Sequence, residues 1–155
     1  MTIYLVRHVK AGERATWNGD DRLRPVSKTG QRQAHQLVDA LSDASFERIV
    51  SSPYLRCIES LGPLASVRML AIELSDALAE EAALDDALAL LRKHALGGAV
   101  LCTHGDVIPM LLEHFARKGV DLGPHPQCPK ASVWVLETTS GGDVTSARYI
   151  PPAPE

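Results

Sequence analysis

Cysteines are few in this sequence, and they form no pattern. Cys57, Cys102 and Cys128 are odd in number and widely spaced, with no C-x-x-C pair. That argues against a disulfide framework and against a cysteine-built zinc site. It makes a reduced, cytoplasmic setting the expectation. A basic excess is also missing. Sixteen Lys and Arg stand against 19 Asp and Glu, for a formal net charge of −3. The charge that nucleic-acid binding draws on is not there. No apolar run approaches the ~20 residues of a membrane span. Met1-Thr2-Ile3-Tyr4-Leu5-Val6 has no basic region and no small-residue cleavage site, so it reads as a strand and not as a signal peptide. Neither nucleic acid nor membrane is expected as a partner, and the oligomeric state is not legible.

What is present suits one domain over residues 1–150, followed by a Pro-rich extended tail at 151–155. Ile3 to Val6 is a β-branched apolar run ending at Arg7-His8, as in a buried strand. Residues 9–28 are polar and carry Gly12, Gly19 and Pro25, which predicts a loop. Ala34, Leu37, Val38 and Leu41 recur at helical spacing, which predicts a helix over Thr29–Leu41. Arg48 to Ser51 is a second strand. Ser52-Pro53 then opens a helix to about Ala65, with Ser52 as N-cap and Pro53 at the first helical position. Met69 to Ile72 is a weak strand, Leu84 to His94 a helix, and Gly98 to Thr103 the clearest buried strand. Val107 to Lys118 is a helix if Pro109 lies in its first turn. Residues 119–130 form a loop. Ser132–Glu137 and Val144–Tyr149 make a hairpin across Gly141-Gly142.

Alternating strands and helices imply an α/β fold: a three-layer sandwich with a mostly parallel central sheet and helices on both faces. Ligands of such sheets bind beyond the C-terminal strand ends. That rule selects Arg7-His8, Ser51 to Arg56, and Thr103-His104-Gly105.

Those positions hold two histidines and two arginines. A neutral imidazole nitrogen can act as a covalent nucleophile. Attack on phosphorus leaves charge on three oxygens, which guanidinium groups meet with paired hydrogen bonds. Arg7 and Arg56 suit that work, and His104 could add a donor. Such a preorganised clamp needs no metal.

Four segments resemble the histidine phosphatase superfamily, also called phosphoglycerate mutase-like. They are Leu5-Val6-Arg7-His8, the stretch Arg24 to Ala34, Ser51-Ser52-Pro53-Tyr54-Leu55-Arg56-Cys57, and Cys102-Thr103-His104-Gly105. Their order and rough spacing match, and they span residues 3 to about 112. The resemblance is to short members, similar to bacterial phosphohistidine phosphatases and to the phosphatase half of two-domain Nudix hydrolases. It implies that His8 is the phosphorylated nucleophile and that Arg7, Arg56 and His104 bind the phosphate. It implies an acidic proton donor after the third strand, for which Leu78-Ala79-Glu80 offers Glu80, with Glu81 and Asp106 as rivals. The implied substrate is a phosphorylated small molecule, a nucleotide or a phosphohistidine protein, with no cofactor. The family's usual glycine after the nucleophile is Val9 here. Its usual asparagine six residues on is Arg14, with Asn18 as a possible substitute.

Each residue also has a plainer reading. An Arg-His pair at a strand end is ordinarily a solvated edge. Glu80, Glu81, Asp85 and Asp86 could be one solvated acidic face. His35, His94, His114 and His125 read as structural, and no H-x-x-x-H pair suggests a metal. Lys10, Arg22 and Arg24 are ordinarily solvated, yet they lie in the loop nearest His8, where a further anionic group could be recognised. The expected function is a metal-independent phosphatase. The alternatives are a phosphoglycerate-type mutase and a weakly catalytic phosphate- or phosphoprotein-binding module.

Overall fold

A computed structural model describes residues 1–154. The strands are β1 (Thr2–Arg7), β2 (Arg48–Ser51), β3 (Ile72–Leu74), β4 (Ala99–Thr103), β5 (Val133–Thr138) and β6 (Val144–Ile150). The α-helices are α1 (Lys28–Ala40), α2 (Leu55–Arg68), α3 (Leu84–Lys93) and α4 (Val107–Arg117). One six-stranded sheet runs in the order β3-β2-β4-β1-β5-β6. The pairs β3–β2, β2–β4 and β4–β1 are parallel, and β5 runs antiparallel to both of its neighbours.

Strand periodicity sorts the core into two halves, because successive side chains point to opposite faces. Ile3, Leu5, Leu101, Trp134 and Leu136 pack with Leu88, Leu91, Ile108 and Leu111 of α3 and α4. Val6, Val100, Cys102, Val133 and Val135 pack with Ala34, Leu37, Leu61 and Leu64 of α1 and α2. Each fully buried Leu or Val stabilises the fold by about 1.5–3 kcal/mol. The helices therefore cover both faces, as the alternation of elements predicts.

The structure differs from the sequence reading at α2, at the third strand and within the loop at 9–28. Ser52 does not cap a helix at Pro53. Its backbone N–H donates to Cys102 O at 3.0 Å, continuing the ladder of β2, and α2 begins at Leu55 with Tyr54 as N-cap. The third strand is Ile72–Leu74 instead of Met69–Ile72, because α2 runs through Pro63 to Arg68 and stops on Met69 at φ 54°. The loop at 9–28 contains a 3-10 turn at Asp21–Leu23, capped by Asp20. Pro109 is the third residue of α4 and lies in its first turn. Residues 151–154 have no regular structure, and Glu155 lies outside the described residues. Among the described residues, no helix is long and apolar enough to cross a membrane.

Candidate active site

The register of the central strands brings the selected segments together. Arg7 pairs with Thr103 across β1 and β4, and Ser51 pairs with Cys102 across β2 and β4. The residues just beyond these ends, His8, Ser52 and His104, are therefore neighbours. The His8 and His104 rings lie 5.4 Å apart, edge to face.

Backbone contacts fix His8. Its N–H donates to Thr103 O at 3.1 Å, and Ala131 N donates to its carbonyl at 3.3 Å. Its Nδ1 lies 2.8 Å from Val9 O. A carbonyl only accepts, so Nδ1 carries the proton and the lone pair stands on Nε2. Burial lowers the His8 pKa to about 3. The hydrogen bond to Val9 opposes that shift, and the charges of His104, Arg56 and Arg7 add to it. His8 is thus neutral at physiological pH. Val9 needs no left-handed backbone. It is buried against α1 and α2, and its N–H donates to Ser60 Oγ at 2.9 Å.

The segment Arg24 to Ala34 holds the loop that follows. Ser27 N donates to Lys10 O at 3.0 Å, and Lys10 N donates to Gln33 Oε1 at 2.8 Å. A Cβ on Gly30 would overlap the Lys10 carbonyl. The glycine is required so that α1 can start against that backbone.

Among the described residues, Arg7, Arg56 and His104 each keep one buried polar atom without a partner: Arg7 Nε, Arg56 Nε and His104 Nδ1. The rest of each side chain is braced. Arg7 Nη1 donates to Cys128 O at 2.9 Å. A Cβ on Gly105 would lie 2.6 Å from Arg7 Nη2, so the guanidinium lies across that glycine. Arg56 is fully buried. Its Nη1 donates to Asp21 O at 2.9 Å, and its Nη2 to Asp21 Oδ2 at 3.1 Å and Glu80 Oε1 at 2.7 Å. His104 Nε2 lies 2.8 Å from Ser52 Oγ, which accepts from Tyr54 N at 3.2 Å. The Ser52 hydroxyl proton has His104 Nε2 to donate to. With the hydroxyl donating to Nε2, the His104 proton stands on Nδ1.

Glu80 receives Arg56 and Arg14 on one oxygen, Oε1, at 2.7 and 2.9 Å. His104 Nδ1 is 3.7 Å from the same atom. Its neighbour Glu81 has φ 65° and donates its N–H to Asp106 Oδ2 at 2.7 Å. Asp106 thereby tethers the Glu80 loop.

A cleft of about 540 Å³ opens over this arrangement. Arg7, His8, Glu80, Lys10 and Arg24 line it, as do Arg14, Lys130 and Asp106. Arg56 and His104 lie buried beside it. Arg22 is not among the lining residues, and its guanidinium sits 5.7 Å from the Tyr54 ring centroid. The sequence reading missed Asp21, Ser52 and Lys130. Asp21 also accepts from Arg24 Nε at 2.9 Å. Burial pushes its pKa up, but the Arg24 hydrogen bond and the charges of Arg56, Arg24 and Arg14 outweigh that and leave it lowered. Nothing in the sequence Gly19-Asp20-Asp21-Arg22 signals that role. Among the described residues, no group of three or more His, Cys, Asp or Glu side chains could hold a metal.

The family model for the histidine phosphatase superfamily, branch 1, matches residues 3–85. The chain belongs to that superfamily. A curated relative, the 8-oxo-(d)GTP phosphatase of Mycolicibacterium smegmatis, is 35% identical over 99% of this chain. The chain spans about half (49%) of that relative's length. Two solved structures share the fold. The protein histidine phosphatase SixA complexed with tungstate is 16% identical, covers 97% of this chain and 94% of its own, and superposes with a TM-score of 0.76. The putative phosphohistidine phosphatase SixA from Nakamurella multipartitia is 18% identical, with 99% and 98% covered and a TM-score of 0.75.

Proposed function

We propose that this protein is a phosphatase that works through a phosphorylated His8. The carrying observation is the set of buried, unpartnered nitrogens, one each on Arg7, Arg56 and His104. Burying a donor without a partner costs about 1–3 kcal/mol. Three such atoms around a neutral imidazole fit a tetrahedral anion whose oxygens would take all three.

His8 Nε2 attacks phosphorus while the bond to the leaving oxygen or nitrogen breaks. Arg7, Arg56 and His104 hold the non-bridging oxygens, where charge spreads in the transition state. Glu80 gives its proton to the leaving atom from Oε2, the oxygen that no arginine occupies. Water then attacks phospho-His8, and Glu80 takes back the proton. Phosphate leaves and His8 is again neutral. No step is assigned to a metal. Exposed residues rim the cleft, among them Lys10, Arg14, Asp106 and Lys130. That access to water favours hydrolysis over a mutase, which must shelter its intermediate.

The test is His8→Ala with p-nitrophenyl phosphate, together with acid-sensitive, base-stable labelling of the native enzyme during turnover. The variant is expected to lose turnover and the native enzyme to carry label on His8. Undiminished turnover by the variant would overturn the reading.

A further inference from the structure

Charges of both signs line the cleft: Glu13, Glu80, Glu81 and Asp106, with Lys10, Arg14, Arg24 and Lys130. Arg14 is paired with Glu80. Lys10, Arg24 and Lys130 are separate from the phosphate-binding set proposed above. Arg24 is buried and spends Nε on Asp21. Lys10 and Lys130 are exposed, and neither forms an ion pair among the described residues.

Both lysines are anchored through backbone next to His8. Lys10 is two residues on, held by Ser27 and Gln33. Lys130 precedes Ala131, whose N–H donates to Arg7 O at 3.2 Å and His8 O at 3.3 Å. Ala131 adopts φ 68° to do so, a conformation costing a non-glycine residue about 1–3 kcal/mol. Lys130 is thus carried to the nucleophile by a strained, doubly bonded turn. Burial and the like charges of Arg7, Arg24, Lys10 and Arg56 all act to deprotonate it. This is a concentration of positive charge beyond what one phosphoryl group requires.

Resting on the phosphatase reading, we propose that Lys10 and Lys130 form a second anion subsite and that the substrate is a phosphoanhydride. In such a compound a second phosphate is bonded directly to the phosphoryl group that His8 attacks. The bond that breaks joins the transferred phosphorus to the bridging oxygen. That oxygen departs on the second phosphate, held by the two lysines, and water later releases the first phosphate from His8. A leaving phosphate is a far weaker base than an alkoxide. It needs little help from Glu80, which the two arginines hold by one oxygen.

The test compares adenosine 5′-diphosphate, p-nitrophenyl phosphate and a phosphohistidine peptide as substrates. It uses wild type, Lys10→Met, Lys130→Met, the double variant and the charge-preserving Lys10→Arg/Lys130→Arg. The wild type is expected to prefer the diphosphate. Each Met variant should lower kcat/KM for the diphosphate about tenfold more than for p-nitrophenyl phosphate, mainly through KM. The Arg pair should restore the preference. Equal losses on both substrates, or a wild-type preference for the phosphohistidine peptide, would overturn the subsite and leave His8 catalysis standing. Turnover that survives His8→Ala, or no turnover of any of the three by wild type, would overturn both readings.

Discussion

Ser52 Oγ and His104 Nε2 lie 2.8 Å apart, and neither residue is more than 1% exposed. The hydroxyl has a donor on one side, Tyr54 N, and the imidazole on the other. When the hydroxyl donates to Nε2, the His104 proton stands on Nδ1, 3.7 Å from Glu80 Oε1. Ser52 reaches no substrate in this arrangement and acts through the tautomer of its partner. Ser52→Ala is expected to lower kcat about tenfold, with KM nearly unchanged, and to cost about 1–3 kcal/mol of stability. Steady-state kinetics and urea unfolding measure the two effects. Loss of stability with kcat intact would confine Ser52 to a structural role.

His8 predicts a pH dependence of stability. Its pKa is about 3 when folded and near the ordinary 6.5 when unfolded. As pH falls through 6.5 the unfolded chain takes the proton first, so the native state loses ground. The contribution is complete above about pH 6.5 and disappears progressively toward about pH 3. The slope from one such group is at most ~1.4 kcal/mol per pH unit. His8→Asn should flatten the fall in urea stability between pH 7 and pH 5 relative to wild type. Parallel curves for the two proteins would refute it. His94, whose pKa burial also lowers, is present in both and cancels.

Two glycines divide stability from activity. Gly30→Ala drives a methyl group into the Lys10 carbonyl. Neither backbone can yield, and about 1–3 kcal/mol of destabilisation is expected in thermal unfolding. Gly105→Ala meets the Arg7 guanidinium, with Nη2 at 2.6 Å. A side chain can move, so unfolding should change little while kcat falls with the displaced arginine. The reverse pattern would mean that Arg7 is not positioned by Gly105.

Much of this was readable in advance because it is local. β-branched runs and 3.6-residue spacing located β1, β2, β4 and all four helices to within a few residues. His8, Arg56 and His104 were legible because the ends of parallel strands converge. The failures were tertiary. Ser52 resembles an N-cap, but its N–H continues the β2 ladder to Cys102 O and its hydroxyl meets His104, 52 residues away, and the helix waits until Leu55. Asp21 reaches Arg56 across 35 residues. Lys130 arrives through a turn whose strain at Ala131 no propensity would suggest.

The weakest part of the sequence reading was the proton donor, and the geometry makes it testable. Glu80, Glu81 and Asp106 all line the cleft. Asp106 spends Oδ2 on Glu81 N at 2.7 Å, and Glu81 is fixed at positive φ by that bond. Glu80 alone touches both Arg56 and the neighbourhood of His104. A general acid matters in proportion to the basicity of the leaving group. Glu80→Gln should therefore lower kcat/KM for glycerol phosphate by about 10²–10⁴-fold. It should affect p-nitrophenyl phosphate, whose leaving group departs without a proton, far less. Glu81→Gln and Asp106→Asn should act alike on both esters. Equal losses for Glu80→Gln on the two esters would make it a brace for Arg56. A leaving-group-dependent loss in either of the other variants would move the proton to that residue.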